Sequence, residues 1–105
     1  MQFRFVPEAE TELAEACIWY GLQRDGLDVE LMQRIDKTLQ RISNAPRRFP
    51  RVHRQLRRAI VRQFPFGIFY KVTKDEILVF AVFHSRRDPS QLTSRLKYLA
   101  NSDWS

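Results

Sequence analysis

Hydrophobic positions follow two different periods along this chain, and the change of period divides it. Between residues 9 and 42 they recur every three or four positions; between 56 and 83 they alternate or run together. Ala9, Leu13, Ala16 and Tyr20 form one helical stripe, and Glu8, Glu12 and Glu15 are expected to turn outward. Pro7 opens that helix at its first turn, where a missing N–H costs nothing. Glu8 and Glu10 suit the positive end of its dipole, and Gly21 and Gly26 bracket its end. A second helix is expected over residues 28–43, with Leu31, Ile35, Leu39 and Ile42 as its buried stripe. Asn44-Ala45-Pro46 stops it. Two helices joined by a short glycine-containing turn make a helical hairpin.

Strand signals flank the hairpin. Phe3 and Phe5 alternate with Arg4 and Val6 in a short first strand. Residues 46–55, rich in proline and arginine, read as a loop. Strands are expected at 56–64, 66–72 and 77–83, with Pro65 and Phe66-Gly67 between the first two and Thr73-Lys74-Asp75 before the third. Connections this short imply antiparallel neighbours. The seven apolar residues 77–83 include both parities, so both faces of that strand should be covered. A last helix is expected after Asp88, which can cap it, with Pro89 at N1, Gln91 returning a capping-box contact, and Leu92, Leu96 and Leu99 as its stripe. Residues 101–105 should fray. The expected fold is therefore α+β: an N-terminal strand, a helical hairpin, a three-stranded antiparallel meander completing a four-stranded sheet, and a C-terminal helix. Residues 1–105 suit one domain.

Charge adds a polarity that the hydrophobic pattern does not show. The net charge is +6. Residues 1–36 carry eight acidic and three basic side chains, a net −5, and the remainder carries fifteen basic and four acidic, a net +11. A segregated positive field favours an acidic protein partner or a nucleic acid. Cys17 is the only cysteine and sits in a helical pattern, which suits a small buried thiol. The longest apolar run is far short of the roughly 20 residues of a membrane span. Pro7, Glu8, Glu10 and Glu12 come too early for a signal peptide, so the chain reads as cytoplasmic.

The candidate chemistry gathers where the apolar run ends in His84, Ser85, Arg86, Arg87 and Asp88. A buried strand there delivers an imidazole and two guanidiniums, which should reach outward and pair with phosphate or carboxylate. Arg57, Arg58 and Arg62 lie on a strand whose alternation puts Arg58 and Arg62 on one face with Ile60 and Phe64, and Arg57 on the other with Ala59 and Val61. They are either charge protection for an edge strand or a basic binding face. Trp19, Tyr20, Phe69 and Tyr70 lie within apolar patterns and read as core, not as a base-stacking platform. Trp104 either packs back on the sheet or anchors in a partner. His53 and His84 lack nearby acidic or cysteine ligands, so no metal site and no cofactor is expected.

The segments FVPEAETEL, ACIWYGL, RRAIVRQFPFGIFYKV and AVFHSRRDP, with the order of elements, resemble the RelE/ParE superfamily of bacterial toxins, and its ParE-like branch in particular. The likeness covers nearly the whole chain and is densest over residues 5–20 and 57–89. It implies the toxin of a type II toxin–antitoxin pair, of the kind tied to plasmid stabilisation, neutralised by an antitoxin that wraps around it in a hetero-oligomer. The ParE-like branch is associated with inhibition of DNA gyrase and has no defined hydrolytic site. The RelE-like branch cuts messenger RNA on the ribosome. RelE-like nucleases supply a sheet arginine, an arginine after the last strand and a tyrosine six residues later. Arg62 and Arg86 match the arginines, but Leu92 stands where the tyrosine would be. The lysine-rich loop of those nucleases is matched loosely by Arg47, Arg48, Arg51 and Arg54. His84 is the candidate substitute acid or base, since an imidazole with a reference pKa of about 6.5 suits either role. The resemblance thus favours a toxin that binds its target through Arg57, Arg58, Arg62, His84, Arg86 and Arg87. A metal-independent endoribonuclease using Arg62, His84 and Arg86, and a non-toxic basic nucleic-acid-binding module, are the alternatives. The absence of a glycine-rich phosphate loop or an exposed aromatic ladder weighs against the last.

Overall fold

The computed structural model describes residues 1–96. Five strands form one sheet: β1 (Gln2–Phe5), β2 (Arg51–His53), β3 (Leu56–Ile60), β4 (Phe66–Val72) and β5 (Glu76–His84). Their spatial order is β1-β5-β4-β3-β2. Helices α1 (Pro7–Gln23) and α2 (Leu27–Asn44) form the hairpin, and a 3₁₀ helix spans Pro89–Leu96. The meander β3-β4-β5 is antiparallel as expected, and β1 joins β5 in parallel.

The sheet has one strand more than the expected four. The segment read as a loop contains β2, in which Arg51 pairs with Arg57 and His53 with Leu56. The tight return is made by Arg54 in the left-handed region at φ 54°. Three residues without an apolar alternation leave no periodic signal, and backbone pairing alone makes this strand. β2 pairs with Leu56 and Arg57 and so covers the start of the outer edge of β3. β3 also stops four residues early, at Ile60. Gln63 adopts φ 70°, and Val61 N–H donates to Phe66 O at 2.9 Å to close the turn. Arg62 consequently leaves the sheet and does not share a face with Arg58.

α1 runs through Gly21 and ends at Gln23, between the two glycines expected to bracket its end. A Cβ at Gly21 would lie 3.4 Å from Cγ of Asp28, so the glycine lets α2 come close. Gly26, at φ 87°, makes the left-handed turn between the helices, where other residues are strained. The half-buried Cys17 thiol is pushed up by burial and then by the Asp28 charge, which disfavours a thiolate. Leu31, Ile35 and Ile42 are buried and Leu39 packs beside them, as the stripe predicted. Ile77 to Phe83 are all at most 3% exposed.

The aromatic expectation holds for three of four residues. Phe69 and Tyr70 are buried, and Tyr20 packs edge-on against Phe64 and Phe66. Trp19 is 56% exposed and leaves the core. The last helix begins after Asp88, whose Oδ1 accepts from Ser90 N–H at 3.0 Å. That bond, the largest cause, holds the Asp88 carboxyl below the usual range. Gln91 does not close a capping box; its Oε1 accepts from Arg87 Nε at 3.2 Å. Leu92 is fully buried, and Leu99 and Trp104 lie outside the described residues.

Tyr70 ties the 45–50 segment to the sheet. Its hydroxyl donates to Pro46 O at 2.7 Å, and Phe49 packs edge-on with its ring. Burial pushes the phenol up to about 12, with Arg57 opposing. A raised acid contributes stability in full below its unfolded value of 10.0, and this is lost as pH rises through about 12. Urea unfolding across that window should show a loss of about 2–3 kcal/mol. Tyr70→Phe should remove this alkaline step; its persistence in the variant would assign it to other groups.

Candidate functional site

Register sorts the side chains of the sheet by face, because they alternate along each strand. Phe66 pairs with His84 and Ile68 with Val82, and Phe66 meets Tyr20 of α1 with 6.1 Å between ring centroids. This is the face covered by the hairpin. Gly67 pairs with Phe83 and Phe69 with Ala81 on the other face, where Arg58 and Ile60 lie opposite Phe69 and Gly67. The sheet therefore separates His84 from Arg58.

Each candidate then has a distinct setting. The stem of Arg58 crosses Gly67 so closely that a Cβ there would lie 3.1 Å from its Cγ and Cδ. Gly67 is the floor on which Arg58 rests. Arg57 donates from Nη1 to Phe49 O at 2.6 Å and is half-buried. Arg62 lines a shallow cleft with Arg34, Lys37, Thr38, Gln40, Arg41 and Asn44, so it joins the basic side of α2. His84 packs edge-on against Phe66, with 5.6 Å between centroids, and its Nδ1 accepts from Arg86 N–H at 3.2 Å. Beyond that backbone contact, no hydrogen bond joins Arg62, His84 and Arg86 among the described residues. His53 Nε2 lies 3.4 Å from Thr93 Oγ1.

The two arginines after β5 were both expected to reach outward, and they diverge. Arg86 is exposed, and its side chain has no partner among the described residues. Arg87 folds back: its guanidinium carbon is 3.7 Å from the centroid of Phe83, Nη1 lies 3.3 Å from Glu12 Oε2, and Nε meets Gln91. The reason is Glu12, which turns inward and not outward. β1 pairs with β5 only as far as Val79, so the remaining outer edge of β5 needs other partners. Glu12 Oε1 accepts from Val82 N–H at 3.0 Å, and Arg95 Nη1 donates to Phe80 O at 2.7 Å. Arg95 also grips Glu12 in a fork, Nη1 to Oε1 at 2.9 Å and Nη2 to Oε2 at 2.6 Å. Both side chains are largely buried, at 12% and 14% exposure.

Glu12, Arg95 and Lys71 are the functional-looking residues that the sequence reading missed. Glu12 flanks the α1 stripe, where helical periodicity ranks a carboxylate as exposed. Arg95 carried no signal of its own. Lys71 did have one, a charge inside an apolar strand between Tyr70 and Val72. Among the described residues no group of three histidine, cysteine, aspartate or glutamate side chains is placed to hold a metal ion. None of the described helices is long and apolar enough to cross a membrane.

A family profile described as the ParE toxin of the type II toxin–antitoxin system parDE matches residues 3–89. The chain belongs to the ParE toxin family. It is thus the toxin of a type II toxin–antitoxin system. Among solved structures it is similar to a chain of the chromosomal ParDE toxin–antitoxin system from P. aeruginosa. That likeness has a TM-score of 0.68 and 16% identity, and covers 80% of this chain and 95% of the other. At such identity it bears on the fold alone. No curated protein matches the sequence. The ParE match spans the strand exit with Arg86 and Arg87, and stops before Arg95.

Proposed function

We propose that this ParE-family protein arrests growth by binding and inhibiting a large target, DNA gyrase first among the candidates, and that a cognate antitoxin neutralises it in a hetero-oligomer. The observation that carries the non-hydrolytic reading is Leu92. It is fully buried and has no ionisable group, at the position where RelE-like nucleases carry their tyrosine. Removing one acid–base partner typically costs about 10²–10⁴-fold in rate. The setting of the nuclease candidates supports the same reading, because Arg62 lies beside α2 and shares no side-chain hydrogen bond with His84 or Arg86 among the described residues.

Two surfaces suit an antitoxin. Ile18, Trp19 and Leu22 recur on one side of α1 and are at least 56% exposed, which fits the apolar face of a partner helix. Arg58, Arg62 and Arg86 offer cations to the carboxylates of an extended acidic segment. Such coupled folding can bury about 1,000–3,000 Å².

The test uses purified toxin, alone and co-expressed with the product of the adjacent gene. The toxin alone should inhibit supercoiling by gyrase and leave ribosome-bound message intact. The co-expressed pair should purify as one complex that loosens as salt rises. Efficient codon-positioned cutting, lost in His84→Ala, would instead make this an endoribonuclease with His84 in the missing role. Unimpeded gyrase together with intact message would require another target.

A further inference from the structure

The lower end of the sheet holds four cations around a cavity with no acid in its wall. Arg47, Arg51, Gln55, Arg57, Lys71 and Val72 line a space of about 120 Å³. Arg57 lies opposite Tyr70 in the register, so the side chains of Arg57 and Lys71 leave opposite faces of the sheet, and the two residues meet only at this cavity, where the start of β3 lies beside the end of β4. Arg51 comes from β2, which pairs directly with Arg57. Arg47 comes from the segment after α2.

Lys71 is the unusual member. Its residue is only 6% exposed, and its Nζ donates to the neutral amide oxygen of Gln55. Burial lowers its pKa, as expected for an ammonium taken out of water without a counter-charge. Buried charges are ordinarily paired. Arg95 illustrates this in the same molecule, since it meets Glu12 at 2.6 Å. No carboxylate pairs with Lys71, Arg47, Arg51 or Arg57 among the described residues. Arg57 uses one nitrogen on Phe49 O and keeps its remaining donors.

The geometry points to a binding pocket for a phosphate monoester. Guanidinium forks match phosphate oxygens in pairs, and a lysine adds a compact point charge. A monoester brings about −1.5 to −2 charges and three acceptor oxygens. It therefore answers four converging cations better than a single carboxylate. The cavity is small, so it takes the phosphate and leaves the rest of the molecule outside. Neither Arg86 nor Arg58 lines the pocket, and the inference does not depend on which target the toxin inhibits.

The probe is inorganic phosphate, titrated into the full-length protein against chloride at matched ionic strength. Thermal unfolding and calorimetry should show saturable binding at one site and a raised midpoint. Arg51→Ala, at an exposed position, should weaken binding by about tenfold, the size of one charge-assisted contact. Lys71→Met should abolish it while raising the midpoint in chloride, because the uncompensated charge is gone. Arg86→Ala should leave binding unchanged. A stabilisation no greater than that of chloride, or one that survives Lys71→Met, overturns the proposal. A nucleoside monophosphate and a 5′-phosphorylated oligonucleotide then identify the source of the group. Tighter binding of the first assigns a small molecule, and tighter binding of the second assigns a nucleic-acid end. Equal binding of a 5′-hydroxyl oligonucleotide, which carries diesters only, overturns the monoester assignment.

Discussion

Glu12→Ala is expected to destabilise the fold by about 3 kcal/mol, because it breaks a largely buried ion pair and leaves one charge behind. For a domain of this size that corresponds to a midpoint lowered by roughly 12–24 °C. Three partners lose the carboxylate at once: the Arg95 fork, Arg87 and the Val82 N–H. The paired replacement Glu12→Leu with Arg95→Met should cost clearly less than the sum of the single changes. A double-mutant cycle read by denaturant unfolding should give a coupling of about 1–3 kcal/mol. Additive single changes, or a Glu12→Ala loss well under 1 kcal/mol, would mean that water serves the β5 edge equally well.

A second large effect is expected at Val79, the last point where β1 holds β5. Val79 is fully buried, and its carbonyl accepts Val6 N–H at 3.0 Å. Val79→Asp places an unpaired carboxylate in the core and should prevent folding. Arg86→Ala is the contrasting variant. It should stay within about 0.5 kcal/mol of the parent in stability, yet lose growth arrest. Arg87→Ala should fall between them, since its guanidinium both covers Phe83 and meets Glu12. Unfolding midpoints and growth curves for the three variants decide the order. An Arg86→Ala protein that unfolds early would make that arginine structural, and one that still arrests growth would remove it from the target surface.

What could be read from the sequence was whatever a local period encodes. The α2 stripe, the buried β5 run and the short meander connections each follow from neighbouring residues. So did the ParE-like character of the segments around Phe5 and Arg86. What could not be read depends on distant partners or on single backbone states. Glu12 faces inward because β1 is too short to cover β5, a fact located seventy residues away from it. Arg62 leaves the sheet because Gln63 turns left-handed, although the alternation of side chains continues past it. β2 exists because backbone groups pair, with no pattern to announce it. The grouping of the candidate cations was likewise out of reach of the sequence. Arg57 belongs with Lys71, Arg62 with α2, and Arg87 with Glu12.

The Glu12–Arg95 fork also bears on aggregation of the partly folded chain. Isoleucine, leucine, valine, phenylalanine and alanine fill residues 77–83 without a charge or a proline, the composition of a segment prone to stacking with copies of itself. An uncovered strand edge of that kind is a template for aggregation. Here the cover comes partly from residue 95, so the edge of β5 is half open in any state of the chain in which Arg95 has not docked. Variants that weaken the fork should accordingly appear first as insoluble protein at ordinary growth temperature, before any loss of activity in the soluble fraction.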